Sequence, residues 1–170
     1  MDLHLQSLPK NLPDRQKVLE LKEKFPDMDP LSVEAFFVFL RTSGDLIKKI
    51  GTNLSCWGIT PGRMMTLMAL FNHSRSMAPS ELAERIGVTR GTITGLLDGL
   101  EKDGLIQRME CCSDRRMINI QLTDKGVEFI NEMVPSHFEL IGKIMKVLDE
   151  TEIGTLIALL EKVHGRVHEL

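Results

Sequence analysis

The clearest structural pattern in the chain lies in residues 79–122, PSELAERIGVTRGTITGLLDGLEKDGLIQRMECCSDRRMINIQL. Its first half predicts two short amphipathic helices in close succession. Pro79–Ile86 is one of them, and a second begins after the N-cap Thr89 and runs to about Lys102. Gly87 stands between them, where glycine lets the chain reverse sharply. The pair therefore has the form of a helix-turn-helix.

The second half of this stretch predicts a β-hairpin. Residues 106–109 and 117–122 are short, partly alternating apolar runs on either side of a polar tip. Two close helices followed at once by a hairpin are typical of a winged helix-turn-helix. In that motif the second helix lies in the major groove of DNA and the first crosses the backbone.

Helices are also predicted on both sides of this lobe. Asp29-Pro30 and Thr60-Pro61 each combine an N-cap with proline at the first helical position, and a short helix over Asp14–Lys24 precedes them. Thr123-Asp124 opens a long helix that we expect Pro135 to bend or split. After residue 149 comes a helix with the apolar stripe Ile153, Leu156, Ile157, Leu160, Val163 and Val167.

We therefore predict a mainly α fold with a small β-hairpin wing, in which a winged helix-turn-helix lobe is joined to a helical dimerisation region. The expected parts are an N-terminal arm (1–29), N-terminal helices for dimerisation and support (30–76), the DNA-binding lobe (77–122) and C-terminal dimerisation helices (123–170).

Composition narrows the class of protein. The 170 residues contain no apolar run long enough for a membrane span, and the first residues lack the pattern of a secretory signal. Cys56, Cys111 and Cys112 are odd in number and suit a reducing compartment better than a disulfide framework. We expect a cytoplasmic protein that uses no cofactor or metal and makes no membrane contact.

Charge is a weaker argument for DNA binding. The net charge is −3, although the field at the binding face matters more than the total. Between residues 85 and 116 the net charge is +1. The basic residues there are Arg85, Arg90, Lys102, Arg108, Arg115 and Arg116, and the acidic ones are Asp98, Glu101, Asp103, Glu110 and Asp114. Affinity should therefore be modest and steeply salt-dependent.

Five fragments in register resemble the multiple-antibiotic-resistance regulator (MarR) family over about residues 77–126. They are Ser80-Glu81-Leu82-Ala83, the series Thr89-x-x-Thr92-Ile93-Thr94-x-Leu96-Leu97-Asp98-x-Leu100-Glu101, Gly104-Leu105-Ile106-x-Arg108, Asp114-Arg115-Arg116, and Leu122-Thr123-x-x-Gly126. The resemblance implies a homodimer on a near-palindromic DNA site, with half-sites about 10 base pairs apart. It also implies that Arg116, held by Asp114, enters the minor groove while Arg115 lies close to phosphate.

The second helix of the lobe has an unusual outward face. A helical projection places Gly91, Gly95, Asp98 and Lys102 opposite its apolar side, where many members of the family carry arginine at the positions of Gly95 and Gly99. A bare backbone would let the helix sit deep in the groove; the alternative is a degenerate helix that binds weakly. The predicted DNA-binding residues are Ser80, Arg90, Gly91, Thr92, Thr94, Gly95, Asp114, Arg115 and Arg116.

The resemblance further implies a repressor that a small aromatic or phenolic effector releases from DNA. The residues predicted to line the effector pocket are Phe37, Arg41, Trp57, Arg63, Met64 and Met68, with Arg41 or Arg63 pairing an anionic effector. The alternative is that these side chains form ordinary core, which is more common at helical spacing.

The sequence also bears on three functions other than a ligand-responsive repressor. No arrangement typical of a catalytic site is present, so an enzyme is not expected. Cys111-Cys112 in the wing or the pair His164 and His168 would make the chain a redox- or metal-sensing regulator, although incidental cysteines and surface histidines explain them as well. A winged helix that binds another protein, with no DNA site of its own, is the main rival function.

Overall fold

The computed structural model describes residues 12–73, 76–111 and 114–169, and it describes no side chain between residues 110 and 117. The chain divides after Pro61 into two compact units. The first contains α1 (Arg15–Lys24) and α2 (Pro30–Ser55). The second contains the remaining elements: α3 (Pro61–Asn72), whose first residue precedes the division, β1 (Ser76–Met77), α4 (Pro79–Ile86), α5 (Arg90–Lys102), β2 (Ile106–Cys111), β3 (Asp114–Leu122), α6 (Asp124–Met145) and α7 (Glu150–Glu169).

The first unit is a pair of helices. Asp14 caps α1 by accepting from the Lys17 backbone N–H, and Val18 on α1 is 1% exposed. Asp29 caps α2 by accepting from two backbone N–H groups of its first turn, as the Asp-Pro start signal predicts. Both predicted helix starts are confirmed, and α2 is one continuous helix of 26 residues.

The two helices of the lobe begin and end where the sequence predicts. Thr89 accepts from the Thr92 N–H and caps α5, while Gly87 and Gly104 follow α4 and α5 with φ values of +70° and +72°. This left-handed conformation strains residues that carry a Cβ, which is why glycine ends both helices. The helix-turn-helix is therefore confirmed.

The wing is part of a three-stranded antiparallel sheet in the order β1-β3-β2. The hairpin is confirmed, and both of its strands extend further toward the tip than predicted. The third strand, β1, was not predicted from the sequence: Ser76 pairs with Gln121 and Met77 with Ile120. This strand of two residues gives no alternation that a sequence pattern could reveal. Its effect is to join the start of the lobe to the wing.

Two long helices complete the second unit. The side chain of Thr123 caps α6 as predicted, but Pro135 does not split it: one helix runs from Asp124 to Met145. Every side chain of α7 is at least partly exposed, and its predicted apolar stripe includes Leu160 at 40% and Val167 at 65% exposure. The predicted fold class, mainly α with a small β wing, is confirmed. The four-part domain division stays a prediction.

Inside the lobe, one apolar cluster connects both helices with the sheet. Its buried members are Met77, Leu82, Ala83, Ile93, Leu97, Leu100, Leu105, Ile106, Ile120 and Leu122. α4 contacts α5 and β3, and α5 contacts β2, so each element contributes its apolar face to this cluster. Because its apolar side packs against α4 and β2, α5 turns its other face toward solvent.

Candidate nucleic-acid interface

Helix α5 carries five of the residues that the sequence predicts to bind DNA. Ile93, Leu97 and Leu100 are almost fully buried, and Leu96 is partly so. All five, Arg90, Gly91, Thr92, Thr94 and Gly95, are exposed. A Cβ built at Gly95 meets no atom of the described residues within 4 Å. The structure therefore brings these residues onto one exposed surface, which we call the α5 face.

The hydroxyl groups of the α5 face are held in fixed positions. The Thr94 hydroxyl donates to the Arg90 carbonyl at 2.9 Å, and the hydroxyls of Thr89 and Thr92 are 2.9 Å apart. Because the Thr94 hydroxyl donates its proton within the helix, its lone pairs point outward only as acceptors. Arg90 forms no ion pair with any side chain in the described ranges. The face thus presents, among the described side chains, a cation without an ion-pair partner beside a hydrogen-bond acceptor.

A concavity of about 470 Å³ adjoins this face. It is lined by Pro79, Ser80, Arg90, Ile93, Thr94 and Ile118. Ser80 lies in the first turn of α4, whose N-cap Ala78 makes no side-chain hydrogen bond. The cap residue therefore offers no side-chain acceptor to the N–H groups of that turn, and together with the helix dipole these groups favour an anion. The sequence predicts that Ser80 and Arg90 bind DNA but does not show how far apart they are. In the structure both line this concavity.

Three of the five carboxylates that weakened the charge argument are paired with arginines. Arg108 on β2 contacts Asp98 at 2.6 Å and Glu101 at 3.0 Å, which joins the wing to α5. The hydrogen bond that Arg108 donates to Asp98 and the nearby carboxylate of Glu101 raise the pKa of Arg108. Arg63 on α3 pairs with Asp103 at 2.9 Å. Adding its charge to that of residues 85–116 raises their net charge from +1 to +2. Sequence spacing could not reveal this second pair, since its members are 40 positions apart.

The last of the five family fragments, Leu122-Thr123-x-x-Gly126, has a structural explanation. The Thr123 hydroxyl donates to the Gly104 carbonyl at 2.8 Å and accepts from the Gly126 N–H at 3.0 Å. The backbone N–H of Thr123 donates to the Leu105 carbonyl at 3.1 Å. Gly126 lies so close to Leu105 that a Cβ would fall 2.1 Å from that carbonyl oxygen. The motif therefore joins α6 to the turn between α5 and β2.

The predicted wing contacts lie outside the described side chains. The backbone of β3 begins at Asp114, but the side chains of Asp114, Arg115 and Arg116 fall in the range that is not described, as does that of Cys111. Cys112 lies outside the described residues altogether. Their roles stay predictions from the sequence.

The predicted effector-pocket residues are divided between the two units. Phe37, Arg41 and Trp57 belong to the first, and Arg63, Met64 and Met68 to the second. Arg41 is exposed and the other five are partly exposed, so none of the six is fully buried core. The pocket stays a prediction.

Two further observations concern metal binding and membrane spans. His164 and His168 stack edge to face with ring centroids 4.5 Å apart, but the described residues contain no group of three or more potential metal ligands. Nor does any helix in the described ranges have the length and apolar character needed to cross a bilayer.

Comparison with known proteins agrees with this geometry. The MarR family profile matches residues 59–118. The transcriptional repressor YetL of Bacillus subtilis is 31% identical over 159 residues, which cover 93% of this chain and 95% of that protein. The repressor MprA of Escherichia coli is 32% identical over 126 residues, covering 74% and 72% of the two chains.

Among solved structures, the complex of Staphylococcus aureus MepR with DNA is similar at a TM-score of 0.66 and 25% identity. The match covers 77% of this chain and 94% of the MepR chain. The lobe geometry, the family profile and the two repressors of similar length agree with one another. This chain belongs to the MarR family of transcriptional regulators.

Proposed function

We propose that the chain is a homodimeric repressor that binds a near-palindromic operator with two copies of α5, the recognition helix, and two wings. The observation that carries this proposal is the α5 face, where an arginine that pairs with no described carboxylate and hydroxyl groups held by hydrogen bonds surround bare glycine backbone. The names of YetL and MprA as repressors, and the DNA complex of MepR, support it.

The chemistry of the α5 face fits the floor of the major groove. Gly91 and Gly95 hold no side chain between the helix and the bases, so the backbone can approach closely. Thr94 offers lone pairs to the amino group of adenine or cytosine, and its methyl group suits the thymine methyl. Arg90 and the first turn of α4 adjoin the concavity, where a backbone phosphate would meet a guanidinium, the Ser80 hydroxyl and helix N–H groups.

Dimerisation is the second part of the proposal. The stripe of α7 leaves large apolar side chains exposed, among them Ile157 at 52% and Val163 at 57%. Contiguous apolar surface of this kind marks an interaction site in a protein that is otherwise rich in charge. A second copy of the chain would cover it and place two recognition helices in successive major grooves, about 10 base pairs apart.

The third part is release by an effector. An effector that favours another spacing of the two lobes would weaken DNA binding, and couplings between sites are typically about 1–3 kcal/mol. Since Arg63 already pairs with Asp103, an anionic effector would have to compete with that carboxylate. Arg41 is exposed and forms no described ion pair, so we assign the anion to Arg41.

The test of DNA binding uses a labelled fragment of the chain's own upstream region at two salt concentrations. We expect binding that weakens steeply with salt, because phosphate contacts release counterions. Binding to no fragment at either salt concentration would favour the protein-interaction function instead. Phenols and aromatic carboxylates are then titrated against the complex, with Arg41→Gln as the variant that should lose its response to carboxylates and keep its response to neutral phenols.

A further inference from the structure

Arg63, in the first turn of α3, lies over the backbone of the recognition helix at Gly99. A Cβ built at Gly99 would fall 1.8 Å from Nη2 of Arg63 and 2.5 Å from its Cζ. The guanidinium therefore occupies the space that a side chain at position 99 would need, and we call this space the Gly99 seat. Nη1 of the same guanidinium donates to Oδ2 of Asp103 at 2.9 Å.

Two neighbouring features make the same link tighter. A Cβ at Gly62 would lie 3.2 Å from a methyl carbon of Leu96, so α3 approaches α5 closely one turn before the Gly99 seat as well. Asp103 is the C-cap of α5, and a guanidinium at this end of a helix interacts favourably with the last carbonyl groups. The first turn of α3 is thus linked to α5 in three ways: Gly62 packs against Leu96, Arg63 pairs with Asp103, and the guanidinium is attracted to the negative end of the α5 dipole.

We propose that Arg63 is a positioning residue for the recognition helix. Its guanidinium, placed in the Gly99 seat and bound to Asp103, fixes the C-terminal half of α5 to α3 and so sets the direction in which Arg90 and Thr94 point. This inference rests on the proposed reading of DNA by α5. It concerns a residue whose charge is engaged within the lobe, so its effect on DNA is transmitted through the helix.

The Gly99 seat also explains a residue that is unfavourable by propensity. Glycine inside a helix is less favourable than alanine, so Gly99 weakens α5 taken alone. Alanine at this position would strengthen the helix and at the same time push the guanidinium out, because the far end of an arginine moves more easily than backbone. Helix stability and DNA affinity are therefore expected to change in opposite directions.

The experiment is a double-mutant cycle on the full-length protein with Gly99→Ala, Arg63→Ala and the double variant. Binding is measured by fluorescence anisotropy on the upstream fragment over a range of salt concentrations. We expect Gly99→Ala to weaken binding about fivefold in the wild-type background, as for coupled residues in contact, and by less than about twofold when Arg63 is already alanine. The salt dependence of Gly99→Ala should equal that of the wild type, since no charge is removed.

Gly142→Ala is the matched control. It is also a glycine-to-alanine change inside a helix, but its Cβ would meet nothing within 4 Å, so DNA affinity should stay at the wild-type value. Thermal melting of the wild type, the two single variants of the cycle and the double variant tests the Gly99 seat without DNA. Gly99→Ala should raise Tm more in the Arg63→Ala background than in the wild type.

Three results of the binding measurements would overturn the inference. One is an equal loss of affinity on Gly99→Ala in both backgrounds, and another is no loss in either. The third is a decrease of about one in the salt slope on Arg63→Ala, which would show a direct phosphate contact. A wild-type protein that binds no DNA would contradict the proposed function, whereas additive changes in Tm would contradict the Gly99 seat itself.

Discussion

Replacing Gly126 with alanine places a methyl group against the carbonyl of Leu105. The new Cβ would lie 2.1 Å from that oxygen, where ordinary contact begins near 3.4 Å, and the obstacle is backbone that cannot rotate away. The same carbonyl accepts a 3.1 Å hydrogen bond from the Thr123 N–H. Any displacement that relieves the clash therefore also stretches the junction between α6 and the turn after α5.

The magnitude follows from these contacts. Overpacking of this kind costs about 1–3 kcal/mol. Loss of a backbone hydrogen bond adds about 1 kcal/mol. Alanine returns about 1 kcal/mol through its higher helix propensity. The net expectation for Gly126→Ala is a decrease of about 1–3 kcal/mol in the free energy of unfolding.

Urea unfolding followed by circular dichroism measures this change, at one fixed protein concentration because association contributes to the stability of a dimer. Gly142→Ala lies in the same helix with open space around its Cβ, so it should be neutral or stabilising by up to about 1 kcal/mol. A Gly126→Ala protein as stable as the wild type would refute the packing argument. Equal destabilisation by both variants would show that the Leu105 contact is not the cause.

Three further predictions concern DNA binding. Arg116→Ala should weaken binding to operator and unrelated fragments by a similar factor, because a minor-groove or phosphate contact carries little base information; an unchanged affinity in anisotropy measurements would remove the wing from the interface. Gly95→Leu should abolish operator binding without unfolding the protein, because the exposed side chain would hold α5 off the groove; retained affinity, with an unchanged melting curve, would mean that Gly95 faces away from DNA. Arg108→Gln leaves two carboxylates of α5 unpaired, so DNA affinity should fall while stability changes by less than about 1 kcal/mol, as for a partly exposed ion pair; a Tm loss with unchanged affinity would contradict this.

The elements that the sequence predicts are those with local chemical signals. Asp29 and Thr89 accept backbone hydrogen bonds at helix starts, and glycine with positive φ ends α4 and α5, so each boundary depends on residues a few positions apart. The outward face of α5 was likewise predictable from the helical period. By contrast, β1 depends on pairing between Ser76 and Gln121, a distant partner that no local pattern indicates.

Charge and glycine roles were harder to predict for the same reason. The sequence gives the number of carboxylates in the lobe, but only the fold shows that Arg63 reaches Asp103. Gly95 and Gly99 look equivalent in the sequence. In the structure, a Cβ at Gly95 would meet open space, whereas Gly99 lies beneath a guanidinium. The two glycines therefore have different roles because the Arg63 side chain, which comes from α3, covers only Gly99.

Dimethyl sulfate footprinting of the upstream fragment shows whether α5 lies in the major groove of DNA. The reagent methylates guanine N7 in the major groove and adenine N3 in the minor groove, so one experiment reports on α5 and on the wing. We expect two clusters of protected guanines about 10 base pairs apart, with protected adenines beside them. A bound fragment whose guanines all stay reactive would contradict the placement of α5 in the major groove.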